Sequence, residues 1–140
     1  MEQRIIAGND IYSNCFMKIR IQGNSIRYRL KEPEVAEFKK YGRVSETIRL
    51  GDNESEQLRF ALLRSSVTII TVQHSDKTTT ILVPEQMAQR WTDSDLVGFD
   101  AIIEIGRGKG LKVLVEKDFK CLDGSEEDNI GAYPNPAKQC

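Results

Sequence analysis

The sequence predicts an α+β domain built mainly on antiparallel strands, as an eight-stranded curved or barrel-like sheet carrying two short helices. Three observations carry that expectation. Several segments alternate apolar and polar residues with period two, hairpin-turn residues separate them, and the element order ββαββ occurs twice in succession. At 140 residues the chain has single-domain length, and 39% hydrophobic with 29% charged residues is a globular mixture. A domain of this size buries roughly 70% of the surface its extended chain exposes, so a disulfide or metal is not required for folding.

The elements follow in order. In residues 17–22, Met17, Ile19 and Ile21 fall on one face, and Lys18, Arg20 and Gln22 on the other. Gly23-Asn24 supplies residues that tolerate positive φ, and residues 25–30 alternate again, so this is a β-hairpin. Pro33 suits a first helical turn, Val35 and Phe38 sit three apart, and Tyr41-Gly42 ends a helix over about 33–40. Strands are expected at 44–50 and 58–64 across the polar loop 51–56, then a second hairpin at 67–73 and 78–83 around residues 74–77. Pro84 opens a second helix through Met87 to Trp91, and strands at 99–105 and 111–117 flank the glycine-rich turn 106–110. Matched punctuation recurs at offsets near 51–55: Pro33 with Pro84, Phe38 with Trp91, Gly51 with Gly106, Leu58 with Leu111. An internal duplication of halves 17–64 and 67–118 explains it; an ordinary meander with two helical insertions gives a similar string. Residues 1–16 read as an arm or an extended start, with Met17 a plausible natural start. Residues 119–140 read as an irregular tail that wraps the surface, with Tyr133 as its docking residue.

Composition excludes several function classes. Twenty Lys plus Arg nearly balance 21 Asp plus Glu, a net charge of −1, so the domain has no overall electrostatic footprint for nucleic acid or an anionic membrane. No apolar run approaches a membrane span, and the first sixteen residues lack the apolar stretch and cleavage site of a signal peptide. Cys15, Cys121 and Cys140 are odd in number and have no C-x-x-C spacing, which points to a reducing cytoplasm. No cofactor is implied.

The polar strand faces hold the candidate chemistry. Lys18, Arg20, Arg27, Arg29, Arg49, Arg59 and Lys112 fall opposite the apolar positions, joined by Glu104 and Glu116. In a wide barrel they would line a charged interior able to hold a phosphate or carboxylate through bidentate arginine contacts. In an open sheet they are simply its water-facing side. Other features read more plainly. His74, the only histidine, falls in a predicted turn, and Cys121 sits in the acidic loop of Asp123, Glu126 and Glu127, which lacks the spacing of a calcium site. The turn Gly106-Arg-Gly-Lys-Gly110 lacks a G-K-[ST] ending and leads into a strand, so it is a hairpin turn and not a phosphate loop. Phe38 and Trp91 are core anchors.

Three resemblances can be stated on residues. M-K-I-R-I-Q-G-N-S-I-R-Y-R-L at 17–30, V-P-E-Q-M-A-Q-R-W at 83–91, and V-E-K-D-F-K-C-L-D with A-Y-P-N-P near the end resemble a small bacterial family of uncharacterised proteins. That family, a domain of unknown function, implies no activity. Gly23-Asn24-Ser25 with Arg29 resembles the G-N-S-x-x-x-R start of AbrB/MazE-type swapped-hairpin transcription factors, and residues 82–87 resemble the start of their strand–helix unit. This would make Arg20, Arg27 and Arg29 DNA-contacting candidates in a dimer. The strand count and basic faces are similar to CYTH-type triphosphate tunnels, although the E-x-E-x-K signature is absent and residues 18–22 read K-I-R-I-Q. Three functions follow as expectations. The first is a non-enzymatic binding module for a small anionic ligand or a protein partner, in which Arg20, Arg27, Arg29 and Arg49 converge. The second is a tunnel-type phosphohydrolase with Glu104 and Glu116 beside those arginines. The third is a DNA-binding regulator.

Overall fold

The computed structural model describes residues 16–119 and 130–134. Strand β1 (Lys18–Gln22) turns at Gly23, φ 57°, into β2 (Ser25–Leu30), with Arg20 opposite Arg27. Helix α1 (Glu32–Tyr41) opens where the Glu34 carboxylate accepts the Lys31 N–H at 2.9 Å, and it closes at Gly42. Gly42 has φ 73°, a left-handed conformation that glycine adopts without penalty, and its N–H donates to the Phe38 carbonyl at 2.7 Å. Then come β3 (Arg43–Arg49), β4 (Gln57–Ser65), β5 (Thr71–Ser75), β6 (Thr78–Pro84), α2 (Glu85–Asp93), β7 (Gly98–Gly106) and β8 (Lys109–Lys117). The second hairpin differs from expectation. Residues 67–70 precede β5, and His74 lies within the strand. The turn is Asp76-Lys77, whose φ values of 49° and 64° match a two-residue primed turn.

The strands form two four-stranded sheets, β1-β2-β8-β7 and β3-β4-β6-β5, not a single eight-stranded one. Neither closes into a barrel. Each outer pair is antiparallel, while the central pairs β2·β8 and β4·β6 are parallel. The cause is the placement of the helices. α1 carries the chain from β2 in the first sheet to β3 in the second, and α2 carries it back from β6 to β7. Each sheet therefore takes one hairpin from each half of the chain.

The pairing repeats with a shift of 53 residues. Lys18↔Arg29 becomes Thr71↔Leu82, Arg20↔Arg27 becomes Gln73↔Thr80, and the parallel pair Ser25↔Lys112 becomes Thr78↔Arg59. Phe38 and Trp91 obey the same shift, are fully buried, and meet edge to face at 6.0 Å, with Phe99 against Trp91 at 5.4 Å. The inner faces of the sheets close on Tyr28, Leu30, Phe60, Leu62, Ile81, Val113 and Val115. Tyr28 meets Phe60 across the gap and donates its hydroxyl to the Thr79 carbonyl at 3.1 Å. Even the helix ends correspond. Arg64 Nη1 donates to the Lys39 carbonyl at the end of α1, and Lys117 Nζ to the Ser94 carbonyl at the end of α2. Both put a cation at the negative end of a helix.

The halves differ in the outer strands, where Val44↔Leu62 answers to Phe99↔Val115, a shift of 55 on one strand and 53 on the other, and again where the tail docks. The β4·β6 ladder runs on to Ser65↔Pro84, but β2·β8 stops at Leu30↔Lys117. There the tail intervenes: Glu32 N–H donates to the Gly131 carbonyl and Tyr133 N–H to the Asp118 carbonyl. The Tyr133 ring lies 5.4 Å from Phe119, with Lys117 Nζ 5.5 Å from its centre. Tyr133 is the docking residue expected. Residues 1–15, the acidic loop at Cys121 and Cys140 lie outside the described residues.

Candidate functional site

Alternation along the first sheet sends Lys18, Arg20, Arg27, Arg29, Lys112, Glu104 and Glu116 to its outer face, opposite the core. Register arranges them in rows across the strands. One row runs Lys18, Arg29, Glu116, Gly98, the next Arg20, Arg27, Leu114, Asp100, and the third Gln22, Ser25, Lys112, Ile102. Seven of the nine candidates thus share one face. Arg49 and Arg59 do not, because β3 and β4 belong to the other sheet. Arg59 Nε donates to Thr47 Oγ1 at 3.1 Å, and Arg49 Nη2 donates to the Asp52 carbonyl at 3.5 Å. The expected convergence of Arg49 with Arg20, Arg27 and Arg29 is therefore corrected.

Glu116 anchors the face. Its Oε1 lies 3.0 Å from Arg29 Nε and 3.6 Å from Arg27 Nη1, while Lys18 Nζ reaches Asp118 Oδ2 at 3.1 Å. Among the described residues no carboxylate pairs with Arg20 or Lys112. Arg27 is the half-buried cation at the centre of this face. Its Nε is buried without a hydrogen-bond partner. Burial pushes its guanidinium below the usual value, Arg29 and Arg20 push the same way, and Glu116 and Asp118 oppose them. Around it, Arg20, Gln22, Ser25, Ile26, Lys112 and Leu114 line a depression of about 120 Å³. Gln22, Ser25 and Leu114 escaped the sequence reading. The first two flank the Gly23-Asn24 turn and could have been found there, but Leu114 becomes relevant only through the parallel β2·β8 pairing.

This face is open to solvent, so the enclosed charged interior is not present. Glu104 pairs with Gly110 near the β7–β8 tip, two rows beyond Arg27, so it does not join Glu116 beside the arginines. A tunnel-type active site requires both conditions and has neither. His74 also changes place: its Nδ1 lies 2.8 Å from Thr79 Oγ1 across the β5–β6 pair. No three His, Cys, Asp or Glu among the described residues come together to hold a metal ion. No helix among them is long and apolar enough to cross a membrane.

With this geometry in hand, the comparisons give one result: the family of unknown function DUF7009 matches residues 17–137. The chain belongs to that family. No curated protein and no solved structure matches the chain, and the two remoter likenesses find no support. The match takes in every strand and both helices of the DUF7009 fold, the docked tail residues and the whole basic face.

A second group of ionisable residues lies inside, against α1. Glu34 is only 6% exposed, and burial pushes its carboxyl up to about 8; the Lys31 N–H lowers it, and nearby Glu46 and Glu37 raise it. Half-buried Glu46, on the inner side of β3, is pushed up to about 7 by burial, against the lowering bond from Met17. These glutamates are structural, since they hold the α1 start and the chain before β1.

Proposed function

We propose that this domain is a non-enzymatic binding module that takes a small anion, a phosphate or carboxylate, on the outer face of the first sheet, at Arg20, Arg27 and Lys112. The observation that carries the reading is the contrast between two faces of matching register. Under the 53-residue shift, Lys18, Arg20, Arg27 and Arg29 correspond to Thr71, Gln73, Thr80 and Leu82 on the second sheet. Glu116 corresponds to Leu63. Lys112 corresponds to Arg59, so the contrast lies on β1 and β2, where one sheet carries packed cations and the other neutral residues. The fold does not require the charges. Lys18 opposite Arg29 is balanced by Asp118 and Glu116, but Arg20 stands directly opposite Arg27 with no carboxylate partner of its own among the described residues, a like-charge cross-strand pair of the kind that destabilises a sheet. A cost carried where a neutral alternative exists is explained by an anion that fills the gap between the cations.

The test is a titration of the domain with inorganic phosphate at low ionic strength, followed by the arginine Nε–H and backbone amide resonances. Shifts should centre on Arg20, Arg27 and Lys112, and Arg27→Gln should weaken binding by about 10- to 100-fold, the usual worth of a charge-assisted hydrogen bond. Equal shifts in the wild type and Arg27→Gln, or none at these residues, would remove the reading.

A further inference from the structure

The depression is not uniformly polar, and its asymmetry says what else the anion must carry. Crossing the sheet from β1 to β7, the row through the centre reads Arg20, Arg27, Leu114, Asp100, and the neighbouring row ends Lys112, Ile102. The cations stand on β1, β2 and the near end of β8. On their β7 side lie two aliphatic side chains: Leu114, half-buried beside Arg27, and Ile102, which is 77% exposed beside Lys112. Gly110 keeps that strip low, since a side chain there would collide with Ile102 Cγ2. Beyond the strip, Asp100 and Glu104 stand on β7. In the second sheet the corresponding residue is Ala61, which is buried. A larger aliphatic residue thus accompanies the cations.

Resting on the anion-binding reading above, we infer that the ligand is an amphiphilic anion: a phosphomonoester whose phosphate sits between Arg20, Arg27 and Lys112 and whose apolar group lies over Leu114 and Ile102. Two features favour a phosphomonoester over a simple carboxylate. Arg20 and Lys112 are not neutralised by a carboxylate among the described residues, and Arg27 shares Glu116 with Arg29, so the pocket retains more than one positive charge. A phosphomonoester also presents three acceptor oxygens, one each for Arg20, Arg27 and Lys112, where a carboxylate presents two. The aliphatic strip adds discrimination that inorganic phosphate cannot use. Its neighbours Asp100 and Glu104 turn away a second anionic group, so a bisphosphate fits worse than a monoester with a neutral body.

The experiment compares inorganic phosphate, phenyl phosphate and acetate on the intact domain by calorimetry and amide shift mapping. Covering roughly 50–60 Å² of apolar surface corresponds to about a tenfold gain, so phenyl phosphate should bind about tenfold tighter than inorganic phosphate. Its additional shifts should fall on Leu114 and Ile102, and acetate should bind more weakly than either. In Ile102→Ser the ratio of the phenyl phosphate and inorganic phosphate affinities should fall towards one; the exposure of Ile102 lets that variant fold. Leu114→Ser should do the same. Equal affinities for the two phosphates, with shifts confined to the cations, would overturn the amphiphilic ligand and leave the anion site standing. Absence of binding by every probe would overturn both.

Discussion

At the scale of single residues, the outer face of the first sheet sets local stability against binding, and Arg20 shows this most directly. It stands opposite Arg27 with no carboxylate partner among the described residues, while its counterpart in the second sheet is Gln73. Arg20→Gln should therefore stabilise the domain by about 0.5 kcal/mol in urea unfolding at low salt, because it relieves a like-charge cross-strand pair. The gain should fade by 0.5 M salt, where screening removes the repulsion, and phosphate affinity should fall in the same variant. A stabilisation that persists at high salt would show that the repulsion is not its source. Glu34 sets a different dependence. Its carboxyl is raised from the ordinary 4.5 to about 8, so between those values the folded state holds a proton that the unfolded chain has released. Its contribution is fully present below about pH 4.5 and is lost as pH rises through about 8. Glu34→Gln, which retains an acceptor for the Lys31 N–H, should flatten this slope by on the order of 2 kcal/mol between pH 5 and pH 9. Chemical denaturation across that range measures it, and an unchanged slope would assign it to other groups.

At the scale of elements, hairpins and helix ends were legible in the sequence, and the contacts between hairpins were not. Gly23-Asn24 and the glycine-rich turn at 106–110 declare their hairpins because left-handed backbone needs particular residues. Pro33 and Gly42 bracket α1 for the same kind of local reason. The tip of the second hairpin carries no such mark, since Asp76-Lys77 adopts positive φ without a glycine. Alternation of period two says which side chains share a face but not which strand lies alongside, nor in which direction. A strand with one buried face reads alike beside a parallel or an antiparallel neighbour, so β2·β8 and β4·β6 left no local signal. Alternation alone therefore groups Arg49 and Arg59 with the arginines of the other sheet and gives no mark to Leu114. The helix-end cations are a testable consequence of the observed pairing. Lys117 is buried, donates to the Ser94 carbonyl at 2.6 Å and lies beneath Tyr133. Lys117→Met keeps the aliphatic stem but leaves that carbonyl without its donor, so it should cost about 1–2 kcal/mol. Arg64→Met, at the equivalent but more exposed position, should cost less. Thermal unfolding of the two variants side by side gives the comparison.

At the scale of the whole molecule, the exchange of hairpins decides how the fold is held together. Neither half can complete a sheet alone: β1 and β2 need β8 and β7, and β3 and β4 need β6 and β5. The aromatic contact between Phe38 and Trp91 also joins the two helices across the centre, so the core does not divide into two separate cores. Most of the pairing between halves is distant in sequence, which makes the unit cooperative and slow to form relative to a helical protein of its length. The natural place to test this is the connection between β4 and β5, where Ser66, Thr68 and Ile69 are exposed. Cutting there should leave the native pairing intact, because the broken link carries no ladder, and the basic face should keep its phosphate response. Unfolding of the nicked domain should then depend on protein concentration, since the two fragments separate when the sheets come apart. Each purified fragment alone should show neither a cooperative transition nor the buried-tryptophan signal of Trp91, and mixing them should restore both. A fragment that folds cooperatively as a monomer would contradict the exchange, because its hairpins would have to pair with each other within one half.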